Sequence, residues 1–320
     1  MVRVLITGGT GVVAQNLASN LSTKEYDVLL ATRGTVSALP VPTFKIGNID
    51  GETNWKEALH KIDIVIHLAA HTPQLASKSG ASKEMSLKKF MSVNRDGTEC
   101  LARAAVASGV KRFIYLSSIL AVGDHTIGEA VFSSAGQPKK DDGYGVSKRK
   151  GEDSLLLVAK GTALEVVILR APPIHGPGVT NNILTMFKAI SYGWPLPVKT
   201  IKNRLSFIYI DNLVSAIIVM ASYPNAINKT YFVCDQEEVS SPQFLMKIAA
   251  AMGKNARLFS FPLTLLRLIG VLAGQQFAVG RLINSLRVDG SDFCKELNWE
   301  PPITMDTGLK ATAEWYLTIN

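Results

Sequence analysis

Short, almost wholly apolar runs alternate with longer stretches of helical periodicity through the first half of the chain. The apolar runs cover residues 2–6, 27–31, 43–46, 63–67, 111–116 and 165–169. Helical periodicity covers residues 12–21, 83–108 and 144–160. Strands that carry helices on both faces are apolar throughout rather than alternating. The pattern therefore predicts an α/β fold with a doubly wound parallel sheet.

The pattern changes after residue 170. Prolines and glycines between residues 171 and 178 interrupt any regular element, and short strands are predicted beyond them at 207–210 and 230–234. Ser241 followed by Pro242 predicts a helix with this serine as its N-cap. The predicted domains are an α/β domain of residues 1–170, which the chain rejoins at about 205–235, and a smaller, mostly helical domain of residues 171–204 and 236–320.

The two longest apolar stretches cover residues 213–221 and 261–273. Both are shorter than the roughly 20 residues that span a bilayer, so we predict no transmembrane segment. Arg267 interrupts the second stretch, which could form an interfacial helix. We interpret it instead as core or as a contact between subunits.

The formal net charge of +8 favours anionic partners such as nucleotides. Lysines and arginines are spread along the chain without an arginine-rich tail, so nucleic acid is not a predicted partner. Cys100, Cys234 and Cys294 lie far apart and form no metal or redox motif. We therefore expect a cytoplasmic protein without a metal site.

A glycine-rich loop joins the first strand to the first helix, with the sequence Thr7-Gly8-Gly9-Thr10-Gly11-Val12-Val13-Ala14. Gly8 allows a tight turn, Gly11 lets a pyrophosphate approach the backbone, and Ala14 allows close packing of helix on strand. The helix N-terminus adds a dipole that favours phosphate. The loop predicts a Rossmann dinucleotide-binding unit, with Gly8, Thr10, Gly11 and Val12 at the phosphates.

A second motif combines a serine at the end of a strand with a tyrosine and a lysine on one helix. Tyr144 and Lys148 lie four residues apart and therefore on one helical face, and Ser118 follows the strand at 111–116. An ammonium group stabilises a neighbouring phenolate, so the pKa of Tyr144 should fall. Tyr144 could then exchange a proton with a sugar hydroxyl or ketone, with Ser118 bound to the same oxygen.

Together these motifs resemble the extended short-chain dehydrogenase/reductase family of nucleotide-sugar epimerases, dehydratases and reductases. The resemblance extends to the segments 47–49, 65–70, 170–178 and 297–301, and Ser118 lies five residues before Gly123 as in that family. It implies that Ser118, Tyr144 and Lys148 are catalytic. The further cofactor contacts that it implies are Asn48, Ile49, Leu68, Ala69, Ala70, Tyr144, Lys148 and Pro172.

The substrate half is similar to the same family. Asn182 would begin a helix that approaches a nucleotide diphosphate, and Arg204 would pair with that diphosphate from seven residues before Asp211. Arg281 matches a second such arginine with looser spacing. The resemblance implies a UDP-sugar substrate bound by Ser118, Asn182, Arg204 and Arg281, and a homodimer formed through the helices at 83–108 and 144–160.

The end of the second strand indicates which cofactor is used. An acidic residue there favours NAD, whereas this chain has Thr32 and Arg33, a hydroxyl and a guanidinium that suit a 2′-phosphate. We therefore favour NADP(H), with NAD(H) possible. The segments 116–119, 172–178 and 298–302 are most similar to bacterial UDP-4-keto-6-deoxy-N-acetylhexosamine 4-reductases of surface-polysaccharide synthesis.

Three hypotheses remain open at this point. The first is NADPH-dependent reduction of the C4 ketone of a UDP-linked 6-deoxy-N-acetylhexosamine. The second is an NAD-dependent UDP-hexose or UDP-N-acetylhexosamine 4-epimerase, and the third is a non-catalytic NAD(P)-binding protein. Dehydration is disfavoured because Ile119 and Leu120 stand where dehydratases of this group carry an acidic pair.

Overall fold

A computed structural model describes residues 1–22, 26–34, 41–73, 83–133, 143–223 and 227–319. Its main feature is a seven-stranded parallel sheet with the order β3-β2-β1-β4-β5-β6-β9. The strands are β1 (Val2–Thr7), β2 (Tyr26–Thr32), β3 (Thr43–Lys45), β4 (Ile64–His67), β5 (Arg112–Ser118), β6 (Glu165–Ala171) and β9 (Lys229–Phe232). The predicted doubly wound α/β fold is confirmed.

Helices cover both faces of this sheet and make up most of the C-terminal part. They are α1 (Val12–Ser22), α2 (Lys83–Phe90), α3 (Gly97–Ala107), α4 (Gly143–Ala159), α5 (Asn182–Ser191), α6 (Ile210–Ser222), α7 (Ser241–Ala251), α8 (Leu263–Leu272), α9 (Gln276–Ile283), α10 (Ser291–Leu297) and α11 (Met305–Thr318). A π-helical segment, Met91–Asp96, joins α2 to α3, and a 3₁₀ turn, Ile119–Ala121, follows β5.

Two hydrophobic cores explain why the strand sequences are apolar throughout. Val4, Ile66 and Ile114 point to one face of the sheet and pack with α1 and α6. Leu5 and Val65, one position along the strands, point to the other face and pack with α3 and α4. Alternate side chains of each strand therefore enter different cores, and both sets must be apolar.

The C-terminal half supplies parts of more than one core. Its own core joins α5, α7, α8 and α11. Phe293, Leu297 and Trp299 pack instead with α1 and α6 beside the main sheet. The chain thus rejoins the first core within residues 236–320, which were predicted to belong to the smaller domain.

Three local predictions differ from the structure. The strand predicted at 207–210 is β8 (Ile208–Tyr209), which pairs with β7 (Ile174–His175) in a small second sheet and does not join the main one. The N-cap of α7 is Ser240, because its hydroxyl accepts from the Gln243 N–H in a full capping box. The helix predicted at 83–108 is interrupted by the π-helical segment.

The π-helical segment packs against α4 at a position where only glycine fits. A Cβ on Gly151 would overlap the carbonyl oxygen of Asn94 and would lie 2.7 Å from Tyr115 Oη. The Asn94 side chain donates to the His71 carbonyl at 3.0 Å and to Ser147 Oγ at 2.9 Å. The wider helical turn therefore presents the Asn94 backbone and amide to β4, β5 and α4 at once.

The strand register brings the ends of the central strands to one edge of the sheet. Thr7 lies beside Ala31 and His67, His67 beside Tyr115, and Ser118 beside Ala171. Each predicted site segment of the first half follows one of these strands or begins α4. In open α/β sheets, ligands bind outside the carboxyl ends of the strands, where the strand order reverses.

Candidate active site at the carboxyl edge of the sheet

The glycine loop is held against the loop that follows β4. Gly8 has a φ of 75°, and a Cβ there would lie 2.9 Å from the Ala69 nitrogen. Gly178, with a φ of 79°, would carry its Cβ 3.0 Å from Val12 Cγ1 at the start of α1. The missing side chains leave a backbone-lined cradle at a helix N-terminus, which suits a pyrophosphate.

The end of β2 lies directly beneath this loop. The Gly9 N–H donates to the Ala31 carbonyl at 3.1 Å, and a Cβ on Gly9 would lie 2.8 Å from Thr32 Cγ2. Thr32 is buried and its hydroxyl donates to the Gly34 carbonyl at 2.6 Å. A hydroxyl has one proton to donate, so in this arrangement Thr32 offers none to a phosphate.

Arg33 is exposed at the same edge. Its charge contributes to the lowering of the His71 pKa, after burial and the charge of Lys89. The guanidinium therefore lies close enough to the loop after β4 for its charge to act on His71. Its role at the ribose of the cofactor stays a prediction.

Lys148 is almost fully buried, with 2% of its surface exposed. Its Nζ donates to the Leu116 carbonyl at 2.7 Å and lies 3.9 Å from the centroid of the Tyr115 ring. Burial lowers the pKa of Lys148 to about 7, against the opposing influence of the Glu152 carboxylate. The ammonium thus gains or loses its proton near neutral pH, as a group that tunes proton transfer should.

Tyr144 and Ser118 lie at the same level of the sheet edge. Tyr144 is four residues before Lys148, about 6 Å along the helix, and Ser118 is two residues after Leu116, about 6.6 Å along the strand. Because α4 runs antiparallel to β5, both steps lead from the Lys148 contact toward the carboxyl edge. Tyr144 is half-buried, and its ring meets Phe90 edge-on at 5.9 Å.

Ser118 is oriented by the turn that follows it. Its Oγ accepts from the Leu120 N–H at 3.2 Å as the cap of the 3₁₀ turn, which leaves the hydroxyl proton for a substrate oxygen. The structure therefore brings the three residues predicted to be catalytic together at one edge, where a sugar oxygen could contact Tyr144 and Ser118.

A buried ion pair fixes α4 to β6 one turn beyond Lys148. Arg170 donates to both carboxylate oxygens of Glu152, from Nε at 3.0 Å and from Nη2 at 2.6 Å, and both side chains are almost fully buried. The guanidinium carbon lies 5.5 Å from the centroid of the Phe232 ring. A bidentate pair restricts orientation as well as distance, so it sets the rotation of α4 and hence of Lys148.

A relay of buried hydrogen bonds links the glycine loop to the π-helical segment through His67. The Thr98 hydroxyl donates to the Asn94 carbonyl, so it must accept from His67 Nε2 at 3.1 Å. The other ring nitrogen, Nδ1, then accepts from the Thr7 hydroxyl at 2.7 Å. Thr7 Oγ1 in turn accepts from the Ala69 N–H at 3.2 Å. The family resemblance covers this segment, but it assigns His67 no role, and only the structure reveals the relay.

We expect His67 to make the fold sensitive to acid. Burial, with a smaller influence of Lys148, lowers the His67 pKa from 6.5 to about 3. Between these values the unfolded chain binds a proton that the folded chain does not, so stability rises with pH across this window. The free energy of unfolding should therefore fall by up to about 1.4 kcal/mol for each pH unit lowered from 6.5 toward 3.

Urea titrations at several pH values measure this slope. His67→Asn should flatten it, whereas His60→Asn, at an exposed histidine, should leave it unchanged. A wild-type stability that stays constant between pH 6 and 4 would contradict the prediction.

The remaining predicted cofactor residues occupy the same edge with different exposure. Asn48 is exposed. Ile49 is buried and packs directly on Gly97, where a Cβ would lie only 2.6 Å from the Ile49 Cγ2. Pro172 is buried directly after β6, and Thr10 is exposed in the glycine loop. The segment after β4 is half-buried and consists of Leu68, Ala69 and Ala70. All of them follow strands of the main sheet.

The predicted substrate residues lie on the C-terminal half. Arg204 is half-exposed, with its Nη1 3.3 Å from Glu129 Oε2. Arg287, which sequence reasoning did not select, lies with its Nη1 3.0 Å from the same carboxylate oxygen. Two guanidinium groups thus converge on one carboxylate, the arrangement that also suits a diphosphate.

Arg281 and Asn182 are less closely tied to this pair. Arg281 is exposed on α9, and Asn182 is exposed at the start of α5. The N-cap of α5 is Asn181, whose side chain accepts from the Ile183 N–H and donates to the Ile174 carbonyl. Sequence reasoning missed Arg287 because the pairing of Leu286 with Leu205, which brings Arg287 beside Arg204, joins two segments that are far apart in the chain.

Fold and site together define a Rossmann-fold enzyme of the short-chain dehydrogenase/reductase class. The family model of the NAD dependent epimerase/dehydratase family matches residues 4–234. The chain is 35% identical to a UDP-glucose 4-epimerase of Vibrio cholerae, over 99% of this chain and 96% of that protein. The chain therefore belongs to the NAD dependent epimerase/dehydratase family.

Solved structures share the fold over nearly the whole chain. The UDP-N-acetylglucosamine 4-epimerase of Bacillus cereus superposes with a TM-score of 0.79 at 19% identity, over 100% of this chain and 99% of that one. The UDP-glucuronic acid 4-epimerase of Bacillus cereus, solved with NAD, gives 0.78 at 19% identity, over 99% and 97%. At this identity the likeness concerns the fold alone.

Proposed function

We propose that this enzyme interconverts a hydroxyl and a ketone at C4 of a UDP-linked hexose, with a pyridine nucleotide at the carboxyl edge of the sheet. The observation that carries the proposal is the Lys148 ammonium, which donates to the Leu116 carbonyl two residues before Ser118 and lies on the same helical face as Tyr144. The glycine loop follows a neighbouring strand, and its backbone at the N-terminus of α1 would hold the pyrophosphate of the cofactor. When bound, the nucleotide supplies or accepts the hydride.

The three side chains divide the proton chemistry among them. Tyr144 Oη takes the proton from the C4 hydroxyl when a ketone forms, and returns it when the ketone is reduced. The Lys148 ammonium, poised near neutral pH by burial, stabilises the phenolate of Tyr144. Ser118 donates to the same substrate oxygen and stabilises the charge that develops on it.

We propose 4-epimerisation with NAD as the net reaction. The 35% identical relative is a UDP-glucose 4-epimerase. Thr32, which sequence reasoning assigned to a 2′-phosphate, uses its proton on Gly34. With that donor occupied, the case for NADPH rests on Arg33 alone, and NAD becomes the expected cofactor.

Reduction of a UDP-4-keto-6-deoxy-N-acetylhexosamine with NADPH is the second candidate. Arg33 favours it, because an exposed guanidinium at the end of β2 suits a 2′-phosphate. The same Tyr144, Lys148 and Ser118 would serve this reaction with a single hydride transfer and no return step.

One pair of assays separates the two reactions. Protein purified without added cofactor is incubated with UDP-glucose or UDP-N-acetylglucosamine, and the sugars are followed by NMR; interconversion of the C4 epimers is the expected result. In parallel, a UDP-4-keto-6-deoxy-N-acetylhexosamine is incubated with NADPH and the absorbance of NADPH is recorded. Consumption of NADPH, with no epimer formed in the first assay, would replace our first candidate with the second.

Arg33→Ala adds a direct test of cofactor choice. If the guanidinium binds a 2′-phosphate, the variant should bind NADPH at least about tenfold more weakly, which corresponds to about 1.4 kcal/mol for one charge-assisted contact. Binding of NADH should stay within about twofold. If Arg33→Ala bound NADPH and NADH with the same affinities as the wild-type protein, Arg33 would have no role in binding a phosphate.

We propose that the substrate diphosphate lies between Arg204 and Arg287, in place of the Glu129 carboxylate. Asn182 and Arg281 stay candidates at the rim of this position. We further propose a homodimer through the helices at 83–108 and 144–160, supported by exposed apolar side chains on them. These are Met85, Leu87, Leu156 and Leu157.

A further inference from the structure

Helix α8 has an outward face that is as apolar as its inward face. Only Leu266 and Gly270 are buried. The outward side chains are between about half and three-quarters exposed, and they are Leu265, Leu268, Ile269, Val271 and Leu272. A surface helix of a globular protein normally turns polar residues outward, and a helix that is apolar all round is normally covered. The inward side of this stretch is core, one of the two predicted alternatives, while its outward face is left without a contact among the described residues.

The face is held rigidly. A Cβ on Gly270 would lie 2.8 Å from Val279 Cγ2, so α8 and α9 pack in close contact as a hairpin. Leu266 anchors the helix in the C-terminal core. The exposed leucines are thus presented by a fixed element and not by a loop that could fold back over them.

The segment of the chain that contains α8 carries charged side chains of one sign. Residues 239–288 contain six lysines and arginines and no aspartate or glutamate. Lys254, Arg257, Arg267 and Arg281 are exposed on this segment. Among the described residues, Arg257, Arg267 and Arg281 form no ion pair with a carboxylate. An apolar surface bordered by unpaired cations fits an anionic partner.

Exposed aromatic residues lie on the segments that lead to the helix. Phe259, four residues before α8, is 42% exposed. The neighbouring loop, which pairs with this segment through Leu196 and Leu258, carries the stacked and exposed rings of Tyr192 and Trp194. Aromatic, leucine and basic side chains in combination are characteristic of elements that lie in a membrane interface.

We propose that the face formed by Phe259, Arg257, Arg267 and the outward side of α8 docks on an anionic lipid bilayer. No helix among the described residues is long and apolar enough to cross a membrane. A second copy of the chain fits less well, because a twofold contact would bring Arg257 and Arg267, which form no ion pair with a carboxylate among the described residues, against their own copies. The proposal is independent of which sugar reaction the enzyme catalyses.

Vesicle flotation tests the proposal with the full-length protein. Vesicles of phosphatidylcholine are compared with vesicles that contain phosphatidylglycerol as the anionic lipid, at low and high salt. The protein should float with the anionic vesicles at low salt and should be released at high salt, since counterions screen the attraction. Arg267→Gln should weaken partition about fivefold, the ratio expected for one basic residue near a charged surface.

Two double variants distinguish binding through the apolar face of α8 from nonspecific hydrophobic adsorption to the vesicles. Leu268→Ser combined with Leu272→Ser should abolish flotation and leave turnover in solution unchanged. Leu317→Ser combined with Ile319→Ser removes two similarly exposed side chains at the end of α11 and should float like wild type.

Three results would overturn the proposal. The first is wild-type protein that stays unbound to anionic vesicles at low salt. The second is equal loss of flotation in both double variants. The third is a fall in molar mass of the Leu268→Ser/Leu272→Ser variant in light scattering without lipid, which would identify a second copy of the chain as the occupant.

Discussion

Replacing Tyr144 with phenylalanine is expected to lower turnover by two to four orders of magnitude, the usual contribution of a positioned acid or base. Tyr144 lies one turn before Lys148, whose ammonium sits between the Leu116 carbonyl and the Tyr115 ring. Loss of the phenol removes the group that carries the proton, while the ammonium and Ser118 stay in place. Single-turnover kinetics with the preferred substrate measures the loss.

The same variant should keep its fold and its cofactor affinity. Phenylalanine preserves the edge-on contact with Phe90, so nucleotide binding, followed by fluorescence quenching, should change by less than about threefold. Tyr26→Phe, at a half-buried tyrosine that begins β2, is the matched control and should retain full turnover. If Tyr144→Phe kept more than a tenth of wild-type turnover, Tyr144 would not be the proton carrier.

The strands and the edge of the sheet were predictable from sequence because they depend on local composition. Val4, Ile66 and Ile114 belong to runs that are apolar at every position, and such runs are buried wherever the chain places them. The glycine loop is equally local, since the turn at Gly8 and the helix that follows lie within a few residues. Tyr144 and Lys148 needed only the helical spacing.

The burial of Lys148 was not predictable in this way. It results from packing of α4 on β5, which places the ammonium over Tyr115, and Tyr115 in turn stacks on His67 at 5.5 Å. The π-helical segment has a similar origin, because the Asn94 amide pairs with the His71 backbone 23 residues away in sequence. Interactions between distant segments leave no periodic signal in the chain.

Arg287 and α8 show two further limits of sequence reasoning. Spacing along the chain favoured Arg281, whereas the pairing of Leu205 with Leu286 brings Arg287 close to Arg204. Apolar periodicity correctly predicted a helix at α8, but such a helix can face a core, a subunit or a membrane. Only the position of the element in the fold shows that its outward side is exposed in the part of the chain that the structure describes.

Replacing Glu152 with glutamine is expected to lower the free energy of unfolding by about 3–5 kcal/mol, because it leaves a buried arginine without its counter-ion. Arg170 donates two side-chain hydrogen bonds to this carboxylate, and its guanidinium also lies near the Phe232 ring. Glutamine has the same shape but offers only one acceptor oxygen and no charge. Chemical denaturation of both proteins measures the difference.

Glu165→Gln provides the matched control on a second arginine–glutamate pair. Arg112 donates to Glu165 from two nitrogens, but both bonds go to the same oxygen, and Glu165 is 33% exposed. Arg112 also donates to the carbonyls of Met220 and Tyr223, both at 2.8 Å, which remain in the variant. The loss should therefore be about 1 kcal/mol, and equal losses in the two variants would contradict the role given to burial.

Glu152→Gln should also change the pH dependence of turnover, which a purely structural role would not do. The Glu152 carboxylate raises the pKa of Lys148 against the larger effect of burial, so its removal should bring that pKa below about 7. The ammonium that stabilises the Tyr144 phenolate is then lost at a lower pH. The midpoint of the alkaline fall in turnover should move to lower pH in Glu152→Gln and stay in place in Glu165→Gln. If the midpoint stayed unchanged in a folded Glu152→Gln protein, Glu152 would stabilise α4 without controlling the charge state of Lys148.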